Sequence, residues 1–257
     1  DLARELSISE DKAELLLPTA MIYHNIFEET DAEFMWLSGI TICDGMAADF
    51  AECKEHIVPA HPFSDDIISV SRKLAERFCC DTEHIHQVEI AALKLFDALR
   101  KANHLTKKDR LLLQIAAILH NCGSFLNLND IGENSYKIVT STEIIGLSHQ
   151  ERMTVAYVIR YTTGDFPEYS EIKNEFSREE YIKIAKLNAI LCLADAMDRS
   201  HQQKFTNFTV RKRGYDLTIT GQTLYDITLE HGMFIQKSPF FEEAFGIRPV
   251  LRQKKCL

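Results

Sequence analysis

The sequence lacks the short signatures of several enzyme classes, since it contains no GxSxG, no P-loop and no GxGxxG fingerprint. It has one Trp among 257 residues, and its eight Tyr are not spaced as a platform for base stacking. Lys and Arg number 29 against 38 Asp and Glu, which leaves a formal net charge of −9. A net negative charge argues against a protein surface that binds nucleic acid over its whole extent, so any site for anions must be local.

Long hydrophobic runs are also missing. No stretch reaches the ~18 apolar residues of a membrane span, and no secretory signal opens the chain. We therefore expect a soluble, cytoplasmic protein with no membrane partner. The first residue is Asp1 rather than Met, so we expect the sequence to be a piece of a longer protein. The cysteines are odd in number, show no CxxC spacing and are expected to be reduced core residues: Cys43, Cys53, Cys79, Cys80, Cys122, Cys192 and Cys256.

Hydrophobic periodicity divides the chain into three expected domains. In residues 1–58, a helix that begins after Ser9, a strand at 34–37 and a helix at 43–53 form part of an α/β unit. Residues 59–204 show helical periodicity nearly throughout, which predicts a domain of five to seven helices.

The third region, 205–257, returns to the period of two that is typical of strands. A hairpin is predicted around Gly214, followed by a strand at 225–230, a helix at 233–245 and a closing strand at 247–251. The expected fold class is therefore mainly α, with a small α+β module at the C-terminal end.

The middle region carries a candidate metal site formed by His84, His120, Asn121 and Asp195. A divalent ion that activates water prefers neutral imidazole nitrogens together with anionic carboxylate oxygens, which also bridge two ions. Asn121 offers only an uncharged carbonyl oxygen next to His120, so it gives up most of the electrostatic attraction. We interpret the site as degenerate, with no catalytic residue assigned.

Each of these residues also has a purely structural interpretation. His84 and His120 lie at the ends of predicted helices, where an imidazole hydrogen bonds to a neighbouring turn. Asp195 and Asp198 share one helix face and are suited to bind a cation together or to pair with Arg199.

Three adjacent cations, Arg211, Lys212 and Arg213, form a candidate polyanion-binding cluster. On a strand their side chains alternate between faces, and a solvated hairpin tip is the commoner explanation. The lysine pairs at 107–108 and 254–255 are weaker signals of the same kind. If these cationic patches converge on one groove in the fold, polyanion binding is favoured.

Several motifs in order resemble the exopolyphosphatase and guanosine pentaphosphate phosphohydrolase (Ppx/GppA) family over almost the whole chain. They are Ile8-Ser9-Glu10-Asp11-Lys12-Ala13, Asp44-Gly45-Met46, His84-Ile85-His86-Gln87-Val88, Ile118-Leu119-His120 and Leu193-Ala194-Asp195-Ala196-Met197-Asp198-Arg199-Ser200. The resemblance implies an HD-like helical domain, preceded by a remnant of an actin-like phosphatase domain. Asn121 and Thr162 depart from the pattern, because many relatives carry Asp and His there.

The resemblance also implies a function for the whole protein: release of terminal phosphate from inorganic polyphosphate, or hydrolysis of guanosine pentaphosphate. The family's catalytic groups and its Mg²⁺ lie in N-terminal domains that the roughly 55 residues before the linker cannot contain. We therefore expect this region to bind no cofactor of its own and to act as an accessory polyphosphate-binding or dimerisation region of a homodimer.

Two other functions are considered. One is a self-contained metal-dependent HD phosphohydrolase that acts on a nucleotide, with His84, His120 and Asp195 as ligands. The other is a purely structural oligomerisation module, which would bind neither metal nor polyphosphate.

Overall fold

The computed structural model describes residues 2–6, 9–30, 32–36, 39–54, 62–100 and 103–254. The chain is mainly helical, with a small sheet near the C-terminal end, which confirms the expected fold class. It divides into two compact units, Asp1–Ala60 and His61–Leu257. The three-domain division expected from the sequence stays a prediction, and its first boundary, between residues 58 and 59, lies outside the described residues.

The first unit contains α1 (Leu2–Glu5), α2 (Glu10–Glu28) and α3 (Ile42–Cys53). The two longer helices agree with the sequence pattern, but the strand expected at 34–37 is wrong for residues 34–36, which are irregular. A strand needs a hydrogen-bonded neighbour, and the described part of this unit offers none. Residue 37 lies outside the described part of the chain.

The second unit carries most of the described helices, and several of them begin at well-formed caps. Thr106, Ser148 and Ser177 each accept a hydrogen bond from a backbone N–H of the first turn, and the backbone N–H of each cap residue donates one to an acidic side chain three residues later. A short 3₁₀ turn occupies Cys122–Phe125. The helices are α4 (Phe63–Arg77), α5 (Thr82–Leu99), α6 (Lys107–Leu119), α7 (Ile131–Ser141), α8 (His149–Arg160), α9 (Tyr169–Ile172), α10 (Arg178–Ala196) and α11 (Thr228–Phe245).

Three strands form the sheet of this unit, β1 (Asn207–Arg213), β2 (Asp216–Gln222) and β3 (Arg248–Lys254). β1 and β2 pair antiparallel across a two-residue turn in which Gly214 has φ 58°, a conformation that glycine adopts without strain. β2 and β3 pair in parallel, with α11 between them in the chain. β2 is therefore the central strand of the sheet.

The strand expected at 225–230 is wrong, because the chain is irregular to residue 227 and α11 then begins at Thr228. The side chain of Asp226 accepts hydrogen bonds from the backbone N–H and the hydroxyl of Thr228, at 2.9 and 2.6 Å. This local turn competes with an extended conformation, as Asp side chains commonly do.

Helices α5, α6 and α10 pack against one another at the centre of the second unit. Their facing side chains, among them Leu95, Ile118 and Leu191, are fully buried. The inner face of the sheet belongs to the same hydrophobic core, through Phe208 and Ile219. Within the described residues, no helix combines the length and the apolar character needed to cross a lipid bilayer.

Candidate functional site

The three central helices bring His84, His120 and Asp195 together, as the sequence pattern suggested. His84 lies in the first turn of α5, where its backbone N–H donates to the cap residue Asp81. His120 follows the last residue of α6, and Asp195 lies in the last turn of α10. Residues from three helices that are far apart in sequence thus meet at one point in the core.

The facing atoms of the three side chains form a small triangle. The Nε2 atoms of His84 and His120 are 3.2 Å apart, and Oδ1 of Asp195 lies 3.4 Å from the first and 3.6 Å from the second. Both imidazoles are buried, and the Asp195 side chain is only 15% exposed. The group has the composition and spacing of a metal-binding cluster.

The second nitrogen of each imidazole faces an acceptor. Nδ1 of His84 lies 2.9 Å from Oδ2 of Asp198, and Nδ1 of His120 lies 2.7 Å from the main-chain oxygen of Ala117. Because a carboxylate and a carbonyl only accept hydrogen bonds, these partners assign a proton to both Nδ1 atoms. Both Nε2 atoms are then left to face Asp195.

Neighbouring side chains hold this arrangement in place. The His201 ring stacks on His84 at 3.7 Å between centroids, and its Nδ1 lies 3.0 Å from Oδ2 of Asp81. Gln203 donates from its backbone N–H to Oδ1 of Asp198, at 2.7 Å. The carboxylate that orients His84 is therefore itself fixed by hydrogen bonds.

The charges within the cluster reinforce one another. Burial by itself would lower the pKa of His84, but the hydrogen bonds to Asp195 and Asp198 and their negative charges outweigh burial and raise it to about 9. Burial would raise the pKa of Asp195, and its hydrogen bonds to His120 and His84 instead hold it far below its usual range. Negative charge at Asp195 and positive charge on His84 are thus mutually stabilising.

Asn121 and Thr162, which depart from the expected pattern, both make local hydrogen bonds. Asn121 is partly buried, and its main-chain oxygen accepts hydrogen bonds from the N–H and the hydroxyl of Ser124. Thr162 is buried, and its hydroxyl donates to the main-chain oxygen of Ile159. Neither residue adds a charged donor to the two imidazoles and the carboxylate of Asp195.

The three cations predicted on the hairpin do not share one face of the sheet. Arg211 and Arg213 lie on the outer face, whereas Lys212 lies on the opposite face, paired in register with Leu217. The parallel strand β3 adds Arg252 and Lys254 to the outer face. All five side chains are exposed.

Polar side chains of the central strand lie between these cations. Thr218, Thr220 and Gln222 occupy the outer face of β2, where Thr220 is in register with Arg252 and Gln222 with Lys254. A groove of about 300 Å³ crosses this face, and its lining includes Arg211, Thr220, Gln222 and Lys254. We refer to Arg211, Arg213, Thr218, Thr220, Gln222, Arg252 and Lys254 as the basic sheet face.

Arg252 was not predicted from the sequence as part of a cationic cluster, and Lys254 was only a weak signal. Alternation along β3 places both on one face, but only the parallel pairing with β2 sets them opposite the β1 cations. His201 had no predicted role, since the sequence offers no periodic signal for it. Lys255 and Cys256 lie outside the described residues.

A family model described as Ppx/GppA phosphatase, domain III, matches residues 68–236. The match covers α5, α6 and α10 with their clustered side chains, together with β1, β2 and part of α11. No curated protein matches the chain.

Proposed function

The chain belongs to the Ppx/GppA phosphatase family, and we propose that it provides an accessory site for linear phosphate polyanions. The basic sheet face would contact inorganic polyphosphate, or the phosphate chain of guanosine pentaphosphate, while hydrolysis takes place in other domains of the whole protein. The cations on the outer face of the sheet carry this proposal.

The main support is that these cations have no acidic partner. Arg211, Arg213, Arg252 and Lys254 form no ion pair with any residue that the structure describes. The only acidic side chain in the same rows of the sheet, Asp216, is taken by Arg248 at 2.9 Å. Four cations on a protein of net charge −9 are therefore left to attract an anion.

The arrangement also matches the shape of an extended phosphate chain. Neighbouring strands lie about 4.8 Å apart, so cations on the two edge strands lie about 10 Å apart across β2. Between them Thr218, Thr220 and Gln222 offer hydroxyl and amide donors, which bind phosphate oxygens without adding repulsion. A chain of phosphates that lies along or across β2 would contact cations on both sides.

The proposal is tested by the affinity of the purified chain for long-chain polyphosphate at fixed ionic strength. We expect the double variant Arg211→Ala, Arg252→Ala to bind about 5- to 30-fold more weakly, because two exposed charge contacts contribute about 1–2 kcal/mol together. The slope of log affinity against log salt should also become shallower by about 1.4, for two lost phosphate contacts.

Lys212→Ala is the matched control, because it removes the same charge from the same strand but from the opposite face. Its affinity should stay within about twofold of wild type. An equal loss in the control and in the double variant would mean that attraction is non-specific. Binding of guanosine pentaphosphate but not of polyphosphate would assign the face to the nucleotide.

A further inference from the structure

We propose that a cavity between the loop after α8, the second half of α10 and the middle of α11 binds a small aromatic molecule with one carboxylate or phosphate group. The anionic group would accept hydrogen bonds from Lys237 and Asn188, and the ring would pack against Phe166 and Phe240. The proposal does not rest on the phosphate-binding role of the basic sheet face, because the two sites share no residue.

The cavity has a volume of about 280 Å³. One side of it comes from the loop at 161–166, and the other sides come from α10 and α11, which pack against each other. His84, His120 and Asp195 are not among the residues that line it. Protein sites for small molecules occupy about 300–1,000 Å³, so this cavity suits a ligand at the small end of that range, such as one ring with one charged group.

Lys237 supplies the positive charge of the cavity. Its ammonium group donates a hydrogen bond to the main-chain oxygen of Thr162 at 2.8 Å, which holds the side chain against the loop. Lys237 is half-buried and forms no ion pair with any residue that the structure describes. Because an ammonium group has three N–H donors, two of them are left for an acceptor in the cavity. A partly buried charge of this kind is stabilised by an anion that binds beside it.

Asn188 and Cys192 form the buried side of the cavity. The Asn188 amide nitrogen donates to the main-chain oxygen of Val158 at 2.7 Å, and the amide oxygen lies 3.6 Å from Sγ of Cys192. The amide nitrogen has a second N–H, which has no acceptor among the described residues and is available to a ligand. Burial raises the pKa of the Cys192 thiol to about 12, so this side chain stays neutral and does not repel an anion.

Aromatic side chains form a further wall of the cavity. The rings of Phe166 and Phe240 stack with their centroids 5.1 Å apart, and Tyr161 meets Phe166 edge-on at 5.4 Å. Contacts of these two kinds are also the ones that a flat ligand ring makes with aromatic side chains. An aliphatic anion of the same charge would lack them, so an aromatic ligand is favoured.

The lining also limits the charge of the ligand. Among the described residues, Asp165 is the one acidic side chain that lines the cavity, and it is exposed. Its negative charge disfavours a ligand with several anionic groups, and the volume is too small for a long phosphate chain. We therefore expect a ligand that differs from polyphosphate.

The test measures the binding of three probes, benzoate, phenyl phosphate and benzyl alcohol, to the purified chain by calorimetry at fixed ionic strength. We expect one site per chain for at least one of the two anions, with a dissociation constant of about 1 mM or lower for a ligand of this size. The neutral alcohol should bind at least about 10-fold more weakly, because it offers no charge to Lys237. The anion that binds more tightly shows whether the site prefers a carboxylate or a phosphate.

Two variants assign the binding to this cavity. Lys237→Met keeps an apolar side chain of similar length and should weaken binding of the preferred anion by about 5- to 20-fold. Phe240→Leu removes one ring without altering the charge and should weaken it by about 3- to 10-fold. Lys173→Met is the matched control, since Lys173 is exposed and lies outside the cavity, and its affinity should stay within about twofold of wild type.

The helical circular dichroism spectrum should be the same in wild type and in all three variants, so that a loss of affinity reports on the cavity and not on folding. Absence of binding by both anions, or equal affinities of wild type, Lys237→Met and Phe240→Leu, would overturn the proposal. Equal affinities for benzoate, phenyl phosphate and benzyl alcohol would also overturn it, because the anionic group would then contribute nothing.

Discussion

The side chains of the cluster are oriented by hydrogen bonds as well as by packing. Asp198 fixes the ring of His84, Gln203 fixes Asp198, and His201 stacks on the His84 ring. A buried imidazole without these partners would retain an unsatisfied N–H, which costs about 1–3 kcal/mol. The cluster is therefore an ordered feature of the core.

A second buried charge connects α11 to the loop after α10. Glu230 is fully buried, accepts a hydrogen bond from Ser200 and pairs with Lys204 at 3.1 Å. Burial by itself would raise the pKa of Glu230, but the hydrogen bonds from Ser200, from the backbone and from Lys204 outweigh it and lower the pKa. The carboxylate therefore stabilises the fold in its charged form.

We predict that Glu230→Gln lowers the free energy of unfolding by about 1–3 kcal/mol at pH 7, because a charged hydrogen-bond acceptor is lost. A lowered folded-state pKa stabilises the protein above the unfolded value, near 4.5, and that stabilisation is lost as the pH falls through the folded value. The difference between wild type and variant should therefore narrow from about pH 5 downward.

Urea unfolding at pH 7, 5 and 4 measures this difference. Glu242→Gln is the control, because Glu242 is exposed on the same helix and should change stability by less than about 0.5 kcal/mol. A constant difference between wild type and Glu230→Gln at every pH would show that packing, not charge, explains the loss.

Among the elements, the turn after α6 is tightly constrained. Gly123 donates to the hydroxyl of Ser135, which in turn donates to the main-chain oxygen of His120. A Cβ added at Gly123 would lie 2.3 Å from the main-chain oxygen of Ile131 and 2.5 Å from the backbone nitrogen of Ser135. Only glycine allows α7 to approach the end of α6 this closely.

We predict that Gly123→Ala lowers the unfolding free energy by about 1–3 kcal/mol, because backbone atoms would have to move. Thermal unfolding should show a loss of about 2–12 °C. Gly232→Ala, in the open interior of α11, is the matched change and should be neutral or slightly stabilising. Equal melting temperatures for wild type and Gly123→Ala would contradict the close approach.

Local chemistry made most helices predictable from the sequence. Ser148 and Ser177 precede acidic residues at the spacing of a capping box, and the structure forms both boxes. The strand expected at 225–230, and the strand expected at 34–37 over its described residues 34–36, were wrong because a short apolar run specifies a strand only when a partner strand is available. His84, His120 and Asp195 were recognisable from their motifs, but the partners of their Nδ1 atoms were not.

The basic sheet face was also only partly predictable from the sequence. Arg211 and Arg213 were visible as a charge cluster, and the period of two already separated Lys212 from them. The contribution of β3 depends on a parallel pairing between residues about 30 positions apart, which no local pattern encodes. Register, rather than composition, decides which cations act together.

Charge is distributed unevenly over the protein. The chain is acidic, with a net charge of −9. Yet the outer face of its sheet carries cations that form no ion pair with the described residues, and its helical core carries a buried cluster of two imidazoles and carboxylates. An acidic protein repels phosphate chains at long range, so a local cationic face makes binding specific and sensitive to salt.

The proposed binding of a phosphate chain across β2, on the basic sheet face, is open to direct measurement. Its sharpest test is backbone chemical-shift mapping of the chain during titration with a short linear polyphosphate. We expect the largest shifts at the amides of Thr218, Thr220 and Gln222, and we expect the double variant Arg211→Ala, Arg252→Ala to lose them. Shifts confined to other elements, or unchanged in the double variant, would contradict it.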